Sequence, residues 1–240
     1  MASSTTIVAA LKFQGGVVIG ADSQASDIVG QVRWPVDKLD QLPGGHPCVL
    51  GFAGSTGRAD QARHLLAAKP LFASQFKKRE LVQGAIMSTL MPLFKDVKEG
   101  NPNPPTSALW QITVAGLAAF SAADEPQILE LEFNGDSCFH DYFHAIGSGT
   151  DTAYAVYNTL GGRRLAELDE PKALLAMIRI IRTCVNVEMW GVSEPLWFWV
   201  VRPDGTRRVS KDELQPHIQL VDRWEESERG AFFNDRWELS

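Results

Sequence analysis

Thr5-Thr6-Ile7-Val8-Ala9-Ala10-Leu11-Lys12-Phe13-Gln14-Gly15-Gly16-Val17-Val18-Ile19-Gly20-Ala21-Asp22 is the stretch on which the fold turns. Two short apolar runs, Ile7 to Leu11 and Gly16 to Ala21, flank Gln14, Gly15 and Gly16, and that cluster supplies the positive φ angles a tight hairpin needs. A β-hairpin is therefore expected at the N-terminal end. A third strand is expected from Val32 to Leu39 and a fourth from Cys48 to Ala53, with Pro43, Gly44 and Gly45 turning the chain between them.

Beyond the fourth strand, Gly54, Ser55, Thr56 and Gly57 lead into a helical pattern from Arg58 to Ala68, with Ala62, Leu65 and Leu66 on one face. A second helix fits Glu80 to Lys95. The middle of the chain reads as strand, from Ser107 to Phe120 and Gln127 to Phe133, because Trp110, Ile112 and Val114 alternate with Gln111 and Thr113. Two more helices are expected, Thr152 to Leu160 and Pro171 to about Glu188, the second opened by a proline that suits a first helical turn. Leu196 to Arg202 and Thr206 to Ser210 then pair as strands about the turn Pro203-Asp204-Gly205. Strands, two helices, strands, two helices and strands pack most economically as an α+β four-layer αββα sandwich, two antiparallel sheets between helical layers.

Composition narrows the classes. With 240 residues, 45% of them hydrophobic, the chain can bury one large core, and Asn101 to Pro105 reads as a loop and not as a domain linker. The net charge of −6, from 29 acidic and 23 basic residues, argues against nucleic-acid binding. Cys48, Cys138 and Cys184 are widely spaced, so neither a disulfide framework nor a zinc site is indicated and a reducing compartment fits. The apolar run from Ile7 to Phe13 is too short for a signal sequence, and no stretch approaches the roughly 18 apolar residues of a membrane span. The sequence predicts a soluble cytoplasmic protein.

The chemistry gathers at the start. An N-terminal threonine can act as nucleophile without histidine, because its own α-amine titrates near about pH 8 and can take the hydroxyl proton. Such a site needs a cation, an acid to hold the cation and a backbone N–H for the oxyanion. Thr5 or Thr6, Asp22, Lys38 and Gly54 can supply these parts.

These residues carry a resemblance to the proteasome β family, including its bacterial HslV-like members. It rests on Thr5-Thr6-Ile7-Val8, the run from Gly16 to Ser26, Lys38, Phe52-Ala53-Gly54-Ser55 and Gly147-Ser148-Gly149. Each motif is weak alone; their order and spacing together are specific, and the resemblance covers most of the chain. It implies an N-terminal-nucleophile hydrolase that cuts peptide bonds inside a closed assembly. In that scheme Asp22 and Lys38 form the charged pair, the Gly54 amide serves the oxyanion and Ser148 hydrogen-bonds near the amino terminus. Ala25, Ser26 and Gly54 would bind the substrate backbone as an added strand. No cofactor or metal is implied. The implied partners are a peptide or unfolded protein, further copies of the chain in two stacked rings of six or seven, and an ATP-dependent unfoldase, with no nucleic acid and no membrane.

Two threonines compete for the nucleophile. Thr5-Thr6-Ile7-Val8 matches the family start with Thr5 first, but Asp22 lies sixteen residues after Thr6 and Lys38 sixteen after Asp22, the family's interval. Either choice makes residues 1–5, or 1–4, a leader that must be removed before an α-amine exists, leaving residues 6–240 as one proteasome-type β unit. The family often places glycine before the scissile bond, where this chain has Ser4 or Thr5. It also places a supporting aspartate and serine near the end of the fourth helix. Aligned on Gly191, Val187 and Trp190 stand there instead, with Asn186 and Glu188 close by.

Other features have plainer readings. His140 and His144 are four apart, a metal-ligand spacing on a helix, but Phe139, Tyr142 and Phe143 around them predict packing at strand ends. Trp197-Phe198-Trp199 reads as core and subunit surface, and Gly44-Gly45 and Gly161-Gly162 lack the Lys-Ser/Thr of a phosphate loop. Two rival functions stand beside the peptidase: a small-amide hydrolase using the same threonine, and an inactive ring subunit that keeps its leader.

Overall fold

The computed structural model describes residues 6–26, 33–69, 78–100, 114–132, 134–187 and 195–233. Strands β1 (Val8–Phe13) and β2 (Gly16–Ala21) form the expected hairpin, in register from Val8 opposite Ala21 to Phe13 opposite Gly16, with Gln14 and Gly15 as the turn. Edge strand β10 (Phe143–Ile146) pairs with β1, and β11 (Trp197–Arg202) and β12 (Gly205–Arg208) complete a five-stranded antiparallel sheet in the order β10-β1-β2-β11-β12. The second sheet, also antiparallel, has the order β5-β6-β7-β8-β9, from β5 (Leu39–Gln41), β6 (Cys48–Gly54), β7 (Val114–Ala122), β8 (Glu125–Leu131) and β9 (Ser137–His140).

Period-two alternation explains how the first sheet is covered on both faces. Ile7, Ala9, Leu11 and Phe13 pack with helices, whereas Val8 and Ala10 pack between the sheets against Val49, Leu117, Ala119 and Ile128. The helices on the first sheet are α3 (Thr150–Thr159), a 3₁₀ turn (Gly162–Glu167), α4 (Glu170–Val187) and α5 (Lys211–Phe233). Helix α4 is central there: Leu174, Met177, Ile178, Ile181 and Cys184 recur at helical spacing and are all buried. On the second sheet, α1 (Thr56–Ala67) brings Ala59, Ala62 and Leu66, and α2 (Arg79–Gly100) brings Val82, Ile86, Leu90 and Leu93, onto Leu50, Phe52, Ala118 and Phe120. The result is the four-layer αββα sandwich. Full burial of a side chain such as Phe120 or Phe198 contributes about 1.5–3 kcal/mol.

Three sequence expectations are corrected. The strand expected from Val32 to Leu39 is two elements: β4 (Arg33–Pro35) pairs with β3 (Gln24–Ser26), and β5 starts only at Leu39. Asp37 breaks the run, since its carboxylate accepts from the Leu39 N–H at 3.1 Å and turns the chain out of one sheet toward the other. Strands β9 and β10, absent from the expected order, occupy 137–146.

The third correction is α5, which the expected order lacked. Its sequence is mostly polar, with Pro216 inside it, so the apolar signal is reduced to Leu214, Ile218 and Val221. Ion pairs from Arg179 to Glu225 and Glu228, and from Arg182 to Asp222, tie it to α4. Trp110, Ile112 and Phe133, counted as strand residues from sequence, lie outside the described residues. Among the described residues, no helix is long and apolar enough to cross a membrane.

Candidate active site

Thr6 stands one residue before the buried Ile7 and Val8 that start the hairpin, so the two-faced packing of β1 fixes where its side chain can go. Its own backbone is gripped from the other end of the chain. The Thr6 N–H donates to Ser148 Oγ at 3.0 Å, and its carbonyl accepts from the Gly149 N–H at 3.4 Å. Gly147, at φ +103°, makes this possible, because a Cβ there would lie 2.1 Å from the Thr6 carbonyl oxygen. Cys184 of α4 donates from Sγ to the Gly149 carbonyl at 3.6 Å, holding the Gly147-Ser148-Gly149 turn against the helical layer.

Asp22 directly follows β2 and is fully buried. Its N–H donates to the Ile7 carbonyl at 3.3 Å, and its Oδ1 accepts from the Ile7 N–H at 3.0 Å, extending the β1–β2 ladder with a side chain. The same Oδ1 receives the Lys38 ammonium at 2.6 Å. Lys38 Nζ also donates to Thr6 Oγ1 at 3.2 Å. At 5% exposure, Lys38 loses most of its hydration, and this desolvation lowers its pKa against the opposing pull of Asp22.

The loop carrying Lys38 is anchored on both sides. Phe52 N–H of β6 donates to the Lys38 carbonyl, Arg63 of α1 donates to the Asp37 carbonyl at 2.9 Å, and Arg208 of β12 pairs with the Asp37 carboxylate at 2.7 Å while lying over the Trp197 ring. Gly54 ends β6 two residues beyond Phe52, at φ +112°, and Ser55 then caps α1 by accepting from the Arg58 N–H. The hydroxyl of Thr6 thus meets a buried ammonium, itself held by a buried carboxylate. A cation in that position lowers the cost of forming an alkoxide at Oγ1.

Thr6, Asp22, Lys38 and Ser148 are brought into one contact network, and Gly54 sits at the end of the strand that carries Phe52. Ala25 and Ser26 lie on β3, whose pairing among the described residues is with β4 alone. Thr5 lies outside the described residues, as do Glu188, Trp190 and Gly191; Val187 is the last residue of α4 and is 62% exposed, with Asn186 exposed beside it. Reading the sequence missed the parts played by Cys184 and by the Ile7 N–H. The first had no local signal, since its contact spans 35 residues; the second was implicit in the hairpin register. The thiols offer no rival nucleophile nearby: burial pushes Cys48 up to about 12, and Cys184 is committed to Gly149.

The family profile described as Proteasome subunit matches residues 1–189. A protein described as Proteasome subunit beta, from Acidothermus cellulolyticus, is 29% identical over 225 residues, covering 91% of this chain and 68% of that relative. Among solved structures, the Anbu (Gly-1) mutant from Hyphomicrobium sp. strain MC1 superposes with a TM-score of 0.74 at 15% identity, covering 98% of this chain and 99% of the other. The structure described as the helical assembly of the Anbu complex from Pseudomonas aeruginosa superposes with a TM-score of 0.73 at 14% identity, covering 94% and 95%.

Proposed function

This chain belongs to the proteasome subunit family, of the β type, and from that premise we propose that it is a threonine endopeptidase with Thr6 as nucleophile. The observation that carries the reading is the line of contacts from Asp22 Oδ1 through Lys38 Nζ to Thr6 Oγ1, 2.6 and 3.2 Å long, buried at the start of β1. Removal of residues 1–5 gives Thr6 a free α-amine, which titrates near about pH 8 and takes the Oγ1 proton directly or through one water. Oγ1 attacks the peptide carbonyl carbon while the Lys38 ammonium stabilises the forming alkoxide. The charge that develops on the carbonyl oxygen is met by the Gly54 N–H. The tetrahedral adduct then expels the C-terminal fragment as an amine, protonated by the α-ammonium, and leaves an ester on Thr6. Water, activated by the same amine, hydrolyses that ester and restores the hydroxyl.

An extended peptide fits this reading because β3 pairs with β4 and leaves its other edge without a strand among the described residues. Ala25 and Ser26 would supply the backbone groups for an added strand. The working particle is a cytoplasmic homo-oligomer that receives unfolded chains, with any ATP-driven unfoldase a separate protein. Stacked rings of six or seven follow if the rotation between neighbours closes; a helix follows if it does not. Light scattering and electron microscopy distinguish these, and a particle mass near the 26.4 kDa of one chain would defeat both.

Intact-mass analysis of the purified protein together with hydrolysis of fluorogenic peptides tests the reading. A chain starting at Thr6 that turns over peptides, and loses turnover in Thr6→Ala, is the expected result. Turnover confined to small acyl amides would replace the peptidase with an amidase. The exposed Val187 at the end of α4, where the family resemblance places a supporting aspartate, favours a second reading as an inactive scaffold. A leader still attached and no turnover would establish that one.

A further inference from the structure

A second polar cluster lies between the two sheets, away from Thr6. Glu130 on β8 and His140 at the end of β9 are diagonal neighbours, since His140 pairs with Ile128 and Glu130 with Cys138. Ile128 packs in the core between the sheets, so Glu130 and His140 point toward the first sheet. His144 comes from that sheet: it sits on β10 opposite Ala10, another residue of the same intersheet core. The three side chains meet where Asp141 and Tyr142 carry the chain from one sheet to the other.

The geometry of the cluster is that of converging ligands. His140 Nε2 and His144 Nε2 approach one oxygen, Glu130 Oε2, at 2.9 and 3.0 Å, and the donor atoms of all three residues lie within 4.8 Å of one another. The imidazole rings are stacked nearly parallel, 3.6 Å between centroids, with both Nε2 atoms on the side of the Glu130 carboxylate. His144 Nε2 is buried and out of line for a hydrogen bond to that oxygen. Its other nitrogen, Nδ1, lies 2.8 Å from the hydroxyl of Tyr154 on α3, which reaches past the edge strand. A metal on Nε2 needs the tautomer with its proton on Nδ1, and the Tyr154 hydroxyl oxygen is placed to accept that proton.

We propose that Glu130, His140 and His144 bind a divalent transition-metal ion of the zinc class and that this ion clips the two sheets together. Two imidazoles and one carboxylate suit zinc better than the all-oxygen preference of magnesium or calcium. Bond lengths of about 2.0–2.2 Å in a tetrahedral site put donors about 3.4 Å apart, so each imidazole opens from the carboxylate by about half an ångström and the two rings turn out of their parallel stack to converge on the ion. Glu130 and His140 are about one-fifth exposed, at 21% and 22%, which leaves an entry route and a fourth position for water. From His144 the chain follows β10 to Ile146 and on into Gly147 and Ser148, so the clip also steadies the strand that leads to the turn gripping Thr6.

The test uses tag-free full-length protein, stripped with a chelator and dialysed, then titrated with Zn(II) by calorimetry and with Co(II) by absorption spectroscopy. One ion per chain with micromolar or tighter affinity is expected, with Co(II) bands of a four-coordinate nitrogen and oxygen site. Saturating Zn(II) should raise the unfolding temperature by about 5 °C or more. His140→Ala and Glu130→Gln, both partly exposed and checked for fold by circular dichroism, should each weaken binding at least about a hundredfold. Tyr154→Phe should weaken it about tenfold. No Zn(II) binding tighter than about 100 μM, binding unchanged in His140→Ala and Glu130→Gln, or equal affinity for Mg(II) would each overturn the assignment.

Discussion

Asp22 and Glu130 are both carboxylates inside the sandwich, each facing nitrogen donors, yet their surroundings make them different devices. Asp22 is fully buried and shares one oxygen between an ammonium at 2.6 Å and a backbone N–H at 3.0 Å. Glu130 is one-fifth exposed and faces two imidazoles. Coulomb attraction strengthens as water is excluded, but so does the penalty for leaving either partner alone. The first site therefore holds a fixed charge beside Thr6, whereas the second can exchange its partner with solvent. Sealing suits an electrostatic role in catalysis; partial opening suits a ligand that must enter.

The largest expected effect is at Thr6. Thr6→Ala should reduce peptide turnover by at least about 10⁴-fold, because a methyl cannot attack, while thermal unfolding stays close to that of the parent. Preserved turnover would remove the Asp22 site from catalysis and leave only its structural part.

Lys38→Ala should lower kcat more than a hundredfold, equivalent to about 3 kcal/mol of transition-state stabilisation. It should also cost about 3–5 kcal/mol of stability in a denaturant titration, since it removes the counter-charge of the fully buried Asp22 carboxylate. The double variant Asp22→Asn with Lys38→Met should regain much of that stability and none of the turnover. Glu130→Gln, at the open site, should cost only about 1 kcal/mol without added metal, as the amide still pairs and water still reaches it. Equal stability losses at the two carboxylates would break the contrast.

Gly147→Ala should destabilise by about 2–4 kcal/mol and impair turnover as well, because the new Cβ meets the Thr6 carbonyl at 2.1 Å on a backbone held at φ +103°. Normal turnover in a folded Gly147→Ala would mean that Thr6 tolerates displacement.

The smallest effect is a pH dependence. Burial lowers the pKa of Lys38 from 10.5, so between that lowered value and 10.5 the unfolded chain binds more protons than the folded one. Stability should therefore rise with pH through this window, and the desolvation cost is felt in full below it. Turnover should fall over the same window, because it needs the ammonium. Opposite slopes in paired activity and denaturation profiles are the expected outcome. An alkaline limb that starts only at 10.5 or above would mean that Lys38 is better hydrated than its burial implies.

Much of this was legible in the sequence because the signals are local. The Gln14-Gly15-Gly16 turn and the apolar runs on either side set the β1–β2 hairpin, and the hairpin register alone places Asp22 beside Ile7. The equal spacing from Thr6 to Asp22 and from Asp22 to Lys38 pointed to the residues that the structure brings into contact. Helix α1 was read from apolar periodicity, which a buried face enforces, and α4 from the proline suited to its first turn. Helix α5 escaped because its stability comes from packing Leu214 and Val221 and from ion pairs to Arg179 and Arg182 on another helix, leaving few apolar residues for a period to show.

What the tertiary structure alone decided are contacts between segments distant along the chain. Ser148 and Gly149 reach Thr6 across about 140 residues, and Cys184 supports them from a third element. His140 and His144, four residues apart, were expected at strand ends and lie there, but the sequence did not show that the strands belong to different sheets and that the rings meet because the chain crosses between layers. Local sequence sets backbone preference and the face a side chain occupies. Which faces then oppose each other, and how much water remains between them, depends on how the layers stack, and that separates a sealed ammonium from an open pair of imidazoles.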